Sequence, residues 1–266
     1  MTQYSSRNPP PSNRQLLTLA AIFGGLIVAV FFLISGLINA MVWWIPVEVE
    51  QQLGRVIVPV YEKQAQDSLT QTKLNQRLDQ LEGYLTDSLH ENRDYRLLYI
   101  PEDTINAIAI PGDVIVVYRE LLERLESENE LMMILGHELG HFDHRDHLRK
   151  LGKIVLIKAV LSYFLGDISA LESLVVDGVT VISNAQYSQG QELQADRFGL
   201  QLLYQNYGHV AGATDFFERI AQETPKTVEF LSTHPAPKQR VKALKQLIEE
   251  RDYPVKGKTP LSIPIQ

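Results

Sequence analysis

Cysteine is absent from this chain of 266 residues, which excludes disulfides, thiolate metal sites and a lipid-bearing N-terminal cysteine. A surplus of positive charge is also missing. The formal net charge is −7, so there is no electrostatic reason to expect nucleic acid as a partner. No helical-repeat pattern is read in residues 253–266, after the last helical stretch. Finally, the segment "LLTLAAIFGGLIVAVFFLISGLINAMVWWIP", residues 16–46, lacks any charged side chain.

What is present begins with that uncharged segment. About twenty apolar residues cross a bilayer as a helix, so residues 16–46 predict a transmembrane anchor with length to spare for tilt. Trp43 and Trp44 stand at its end, where aromatic rings favour the lipid–water interface. The apolar run is too long for a cleaved signal peptide, and no clear small-x-small site follows it. Residues 1–15 before it are polar and proline-rich and predict a disordered arm. Arg7, Arg14 and the amino terminus lie nearer the span than Arg55 and Lys63 beyond it, which predicts an N-inside topology with the C-terminal part extracytoplasmic.

With 45% hydrophobic and 21% charged residues, the remainder has the composition of a folded domain. Residues 47–60 read as a proline-bounded extended piece. From Tyr61 to Asn92, leucines at 74, 78, 81, 85 and 89 put one stripe on a core-facing helix. "YRLLYI", "INAIAI" and "VIVVY" predict strands, the last two joined at Pro111-Gly112-Asp113. Helices follow from Glu120. The expectation is an α+β fold, mostly helical, with a small antiparallel sheet. Residues 253–266 read as a C-terminal tail.

"SENE", Ser127 to Glu130, is a capping box that opens the helix carrying "ILGHELGHFDHRDH". His137 and His141 are four residues apart, so their rings share a face with Cβ atoms about 5–6 Å apart, a spacing one zinc ion can bridge with bonds of about 2.0–2.1 Å. Glu138 completes H-E-x-x-H, where a glutamate takes a proton from zinc-bound water instead of ligating. Two histidines leave the metal under-coordinated. Downstream, "ELQAD" offers Glu192 as a candidate third ligand, and Asp196, one turn on, as acceptor for a ligand histidine's free N–H. H-E-x-x-H fixes three positions and arises by chance; the downstream pair, in this order, makes the pattern far more specific. His144, His147, His90 and His209 read as solvated or helix-end residues.

Together "HELGH", "ELQAD", "NAIAIPGDVIVVYRELL" and "STHPAPKQRV" resemble the HtpX-like and CAAX-prenyl-protease-like gluzincins, metallopeptidase family 48, over about residues 47–250. The resemblance implies a zincin-like metallopeptidase domain over 47–252. It implies one zinc on His137, His141 and Glu192, with Glu138 as general base and Asp196 behind a ligand. It implies also that His234 stands near the substrate carbonyl or reaches the metal, with Arg240 supporting the site. One departure is residues 151–183, where membrane-embedded members have further spans. Here Lys158, Asp167, Glu172 and Asp177 break the apolar runs, so a helical hairpin of the soluble domain is expected.

The function these readings predict is a membrane-anchored zinc endopeptidase acting on protein or peptide substrates and touching the bilayer through its N-terminal helix. The competing readings are a tethered, non-catalytic chaperone-like module with a structural zinc, and an aminopeptidase.

Overall fold

A computed structural model describes residues 11–85, 93–152, 186–223 and 228–265. The backbone divides into two compact units, Met1–Trp44 and Ile45–Gln266.

In the first unit, α1 (Asn13–Met41) opens at Ser12. Its hydroxyl accepts the Gln15 N–H, and the Gln15 side chain accepts the Ser12 N–H. This cap starts the helix at Asn13, inside the arm expected for 1–15. The 29 residues of α1 extend about 44 Å at ~1.5 Å each, and none is buried. A 3-10 turn, Val42–Trp44, completes a stretch long and apolar enough to cross a bilayer.

The second unit opens with α2 (Val47–Glu62), where an extended piece was expected. Pro46 takes the N-cap, a position that needs no N–H, and Glu48 and Glu50 sit favourably in the first turn. Prolines at 46 and 59 therefore bound a helix, with Pro59 tolerated near its end. α3 (Leu69–Glu82) is capped by Ser68 and is shorter than the leucine pattern implied; Leu74, Leu78 and Leu81 are fully buried, and Leu89 lies outside the described residues.

Three strands follow: β1 (Arg96–Ile100), β2 (Ala107–Ile110) and β3 (Val114–Tyr118), in the order β1-β3-β2. β2 and β3 form the expected hairpin, with Gly112 (φ 97°) and Asp113 (φ 61°) turning the chain. β1, however, runs parallel to β3, Leu98 facing Val116, so the sheet is mixed and not wholly antiparallel. The link 101–106 crosses the end of β3 and sets β2 on its far side. Both faces are covered, which is why these strands read as unbroken apolar runs. Leu98, Ile108 and Val116 meet Ile57, Val58 and Tyr61 of α2, while Leu97, Ala109 and Ile115 join the main core with α3 and the helix that follows.

That helix, α5 (Glu128–Asp143), comes after a short α4 (Arg119–Glu123). Ser127 accepts the Glu130 N–H, but the Glu130 carboxylate reaches back to Glu126, so only half of the expected capping box forms. α6 (Gln189–Tyr207) lies along α5, followed by α7 (Asp215–Ile220), α8 (Glu229–Thr233) and α9 (Pro237–Glu250). The hairpin expected within 151–183 falls almost wholly outside the described residues. The segment after α9 is laced into the domain: Pro254 accepts the Val210 N–H, Thr259 exchanges hydrogen bonds with Glu128 and Asn129, and Ile263 is buried.

Candidate active site

α5 is buried from Glu128 to Phe142 because α6 crosses it at backbone contact. A Cβ on Gly136 would stand 2.9 Å from Gly199 Cα, and one on Gly140 would stand 2.8 Å from Ala195 Cα. That approach carries Glu192 and Asp196 to the imidazoles of α5. The turn between α8 and α9, with Ala236 left-handed at φ 61°, brings in His234 and Arg240.

His137, His141, Glu192 and His234 converge, each offering an atom within 4.8 Å of the others. His137 Nε2 is 3.1 Å from His141 Nε2 and 3.2 Å from His234 Nδ1. Glu192 Oε1 is 3.1 Å from His234 Nδ1 and 3.5 Å from His141 Nε2, and Glu192 Oε2 is 3.7 Å from His137 Nε2. A tetrahedron with bonds of about 2.0–2.1 Å has edges of roughly 3.3–3.4 Å, so the four groups fit one zinc. All four are fully buried, and nitrogen lone pairs aimed at one another in such a place call for a shared cation.

Each ring is held from behind. His137 Nδ1 is 2.9 Å from Asp196 Oδ1, and His141 Nδ1 is 3.1 Å from Asp146 Oδ2, contacts that leave each Nε2 facing inward. Arg240 clamps Asp196 with two bonds, of 2.8 and 2.6 Å, and its Nη1 lies 2.6 Å from Glu192 Oε2. Burial alone would raise Glu192, but the charge of Arg240 above all, with a hydrogen bond to His141, holds it well below the carboxylate range. Burial also opposes charge on His141, yet Asp146, Glu192 and Glu138 lift it to about 9. Burial wins at His234, which falls to about 4 and stays neutral.

Glu138 stands apart from the four. Its Oε2 accepts the Ala109 N–H at 2.9 Å, while its Oε1 is buried without a hydrogen-bond partner, 3.6 Å from the equally unpartnered Nε2 of His234.

The structure therefore brings together all seven residues singled out in the sequence: His137, Glu138, His141, Glu192, Asp196, His234 and Arg240. Three neighbours escaped the reading. Asp146 lies beyond a break at Arg145 (φ 53°), a left-handed residue that no sequence signal announced. Tyr187 stacks on His141 at 3.8 Å, and Lys150 Nζ lies 4.3 Å from the Tyr187 ring, its amine lowered to about 8 by burial against the pull of Glu138 and Glu192. The remaining histidines divide. His144 caps α5 with Nδ1 2.9 Å from Gly140 O, the helix-end role expected. His147 is not solvated: it is fully buried, with Nε2 2.5 Å from Glu50 Oε1. His209 is buried in a local turn, where its Nδ1 accepts the Ala211 N–H, and His90 lies outside the described residues.

Against known proteins, the profile of Peptidase family M48 matches residues 68–248. The chain is 28% identical over 160 residues to the mitochondrial metalloendopeptidase OMA1 of Arabidopsis thaliana, covering 59% of this chain and 32% of that protein. It is 26% identical over 166 residues to the beta-barrel assembly-enhancing protease of Yersinia pestis, covering 55% and 33%. It is 27% identical over 154 residues to the metalloprotease LoiP of Escherichia coli K12, covering 56% and 60%. The matched part spans about a third of the length of the first two relatives.

Proposed function

The chain belongs to peptidase family M48, and from that premise we propose that it is a membrane-anchored zinc endopeptidase hydrolysing unfolded or membrane-associated proteins. The observation that carries the reading is the four-group cluster beside a glutamate with one tethered oxygen and one free. His137, His141 and Glu192 would hold the zinc, with His234 beside them. When bound, the zinc supplies a Lewis acid and lowers the pKa of water toward 7.

The chain's own residues do the rest. Glu138 Oε1 takes the proton of the attacking water and delivers it to the leaving amine, while Ala109 holds Oε2 still. Asp196 and Asp146 keep the ligand rings in the tautomer that aims Nε2 inward. A metal site closed by four protein groups is a structural arrangement, whereas catalysis keeps a position open for water. His137, His141 and Glu192 would leave that position to water, and the unpartnered Nε2 of His234, 3.6 Å from Glu138 Oε1, would be placed to donate to the developing oxyanion.

Among the described residues β2 is an edge strand whose odd-numbered peptide groups face away from β3: Ile105 O accepts from Phe230 N, and Ala109 N–H turns to Glu138. An extended substrate pairs along this edge at Ala107, next to the base. α1 spans the bilayer, with the catalytic unit on the extracytoplasmic side.

The test pairs zinc analysis with Glu138→Gln, assayed on an unfolded protein. Parent and variant each carry about one zinc, as a single ligand set requires, and the variant is slower by about 10²–10⁴-fold. Equal cleavage by the variant would discard the base assignment, and zinc without any cleavage by the parent would favour the structural-zinc module. Cleavage of peptides with free but not blocked amino ends would favour an aminopeptidase. A reporter fused after residue 266 reads the topology, and cytoplasmic activity would reverse it.

A further inference from the structure

α2 has two apolar faces, and the sheet uses one of them. Gly54, Ile57, Val58 and Tyr61 pack inward, whereas Val49, Leu53, Val56 and Val60 are 36–51% exposed. The second set recurs at steps of four, three and four residues, one continuous stripe about 110° around the helix from the buried face at ~100° per residue. Arg55, Glu48, Gln52 and Lys63 occupy the third side. From residue 45 onward, eight large hydrophobic side chains are exposed among the described residues, and four of them form this stripe.

We propose that α2 lies in the bilayer–water interface with Val49, Leu53, Val56 and Val60 against the lipid, so that it holds the catalytic unit flat on the membrane surface. The inference rests on reading α1 as a membrane span. α1 ends at Met41 and α2 starts at Val47, and the five residues between them reach at most about 18 Å. Trp43 and Trp44, 52% and 86% exposed, lie in that link, where indole rings suit the interface. A second copy of the chain is the weaker occupant, because stable interfaces engage about 20–30 residues a side and this stripe offers four.

The arrangement has a consequence for the substrate. The buried side of α2 is keyed to the rest of the catalytic unit at two points in its N-terminal half. A Cβ on Gly54 would stand 2.4 Å from Gly112 Cα in the β2–β3 turn, and Glu50 bonds His147, just beyond the zinc-site helix. With α2 fixed in the interface, the β2 edge stays at a set height above the lipid. The substrates this favours are extended segments emerging from the same bilayer.

The absence of native cysteine makes the test direct, because a single introduced thiol is the only one present. Full-length chains carrying Val49→Cys, Val56→Cys, Val60→Cys, Arg55→Cys or Phe31→Cys are spin-labelled and reconstituted in phosphatidylcholine–phosphatidylglycerol vesicles. Accessibility to oxygen and to a water-soluble nickel chelate is then measured. Labels at 49, 56 and 60 are expected to favour oxygen over nickel as the Phe31 label does, and the Arg55 label to show the reverse order. If the stripe labels match Arg55 while Phe31 reads as lipid-buried, this inference fails and the anchor stands. If Phe31 also reads as water-exposed, the anchor reading itself fails. Dipolar broadening between Val56 labels of two chains, without lipid access, would assign the stripe to a second copy and overturn the proposal.

Discussion

The backbone N–H of Ala109 donates to Glu138 Oε2 across 2.9 Å, so the edge strand grips one oxygen of the proposed base and leaves the other free. Proline at 109 would remove that donor without breaking a bond to β3, because the Ala109 N–H points to Glu138 and not into the ladder. A hydrogen bond to a charged group is worth about 1.5–3 kcal/mol, so Ala109→Pro should slow turnover roughly ten- to a hundredfold. Zinc content should not change, because the proposed ligands His137, His141 and Glu192 are left in place. Steady-state kinetics beside metal analysis reads both, and unaltered kcat would show that the tether does not position the base.

Asp196 and Asp146 play matching parts behind His137 and His141. Replacing either by asparagine keeps shape and removes charge, and loss of such a partner typically weakens metal binding about 10–100-fold. Chelator competition on Asp196→Asn and Asp146→Asn should show comparable losses. If Asp146→Asn binds zinc as tightly as the parent, its contact with His141 is incidental.

Gly199 sits where α6 meets α5, and a Cβ there would come 2.8 Å from His137 N and 3.0 Å from Met133 O. Backbone cannot step aside as a side chain can. Gly199→Ala should therefore wedge the helices apart at a cost of about 1–3 kcal/mol. Because Glu192 travels with α6, zinc affinity should fall together with thermal stability. A variant that melts early yet binds zinc normally would separate the crossing from the ligand geometry.

The His137–His141 pair and the neighbouring Glu138 were legible as a cluster because a helix converts spacing directly into geometry: residues four apart share a face wherever the helix lies. Glu192 and Asp196 followed for the same reason. What sequence spacing does not encode is how separate elements meet. Asp146 reaches His141 only because Arg145 takes a left-handed turn, and His147 is buried only because Glu50 arrives from α2. α2 itself was misread because Pro46 and Pro59 were taken as breaks, while a helix N-cap and a late turn accommodate both. The parallel β1–β3 pair escaped for a related reason. Three strands in succession suggest neighbours in succession, and the 101–106 link reverses that order.

Glu50 offers a pH test that is independent of the zinc. Its carboxylate is fully buried, 2.6 Å from Arg93 Nη2 and 2.5 Å from His147 Nε2. Burial by itself would raise the pKa, but the charges and hydrogen bonds of His147 and Arg93 outweigh it and hold Glu50 far below the usual carboxylate range. A group depressed in the folded state contributes its full stabilisation above its unfolded value, about 4.3, and loses it as the pH falls below that value. Glu50→Gln leaves the Arg93 guanidinium facing a neutral amide, and breaking a buried pair in this way costs roughly 3–5 kcal/mol. Thermal unfolding of the detergent-solubilised chain should therefore separate parent from variant widely at pH 7 and equally at pH 5.5. Below about pH 4 the gap should begin to narrow, because the unfolded chain takes up the proton first, and it should close only as the pH nears the depressed folded-state value. Parallel curves at every pH would mean that Glu50 is not ionised in the folded protein, and the link from α2 to His147 would then be packing alone.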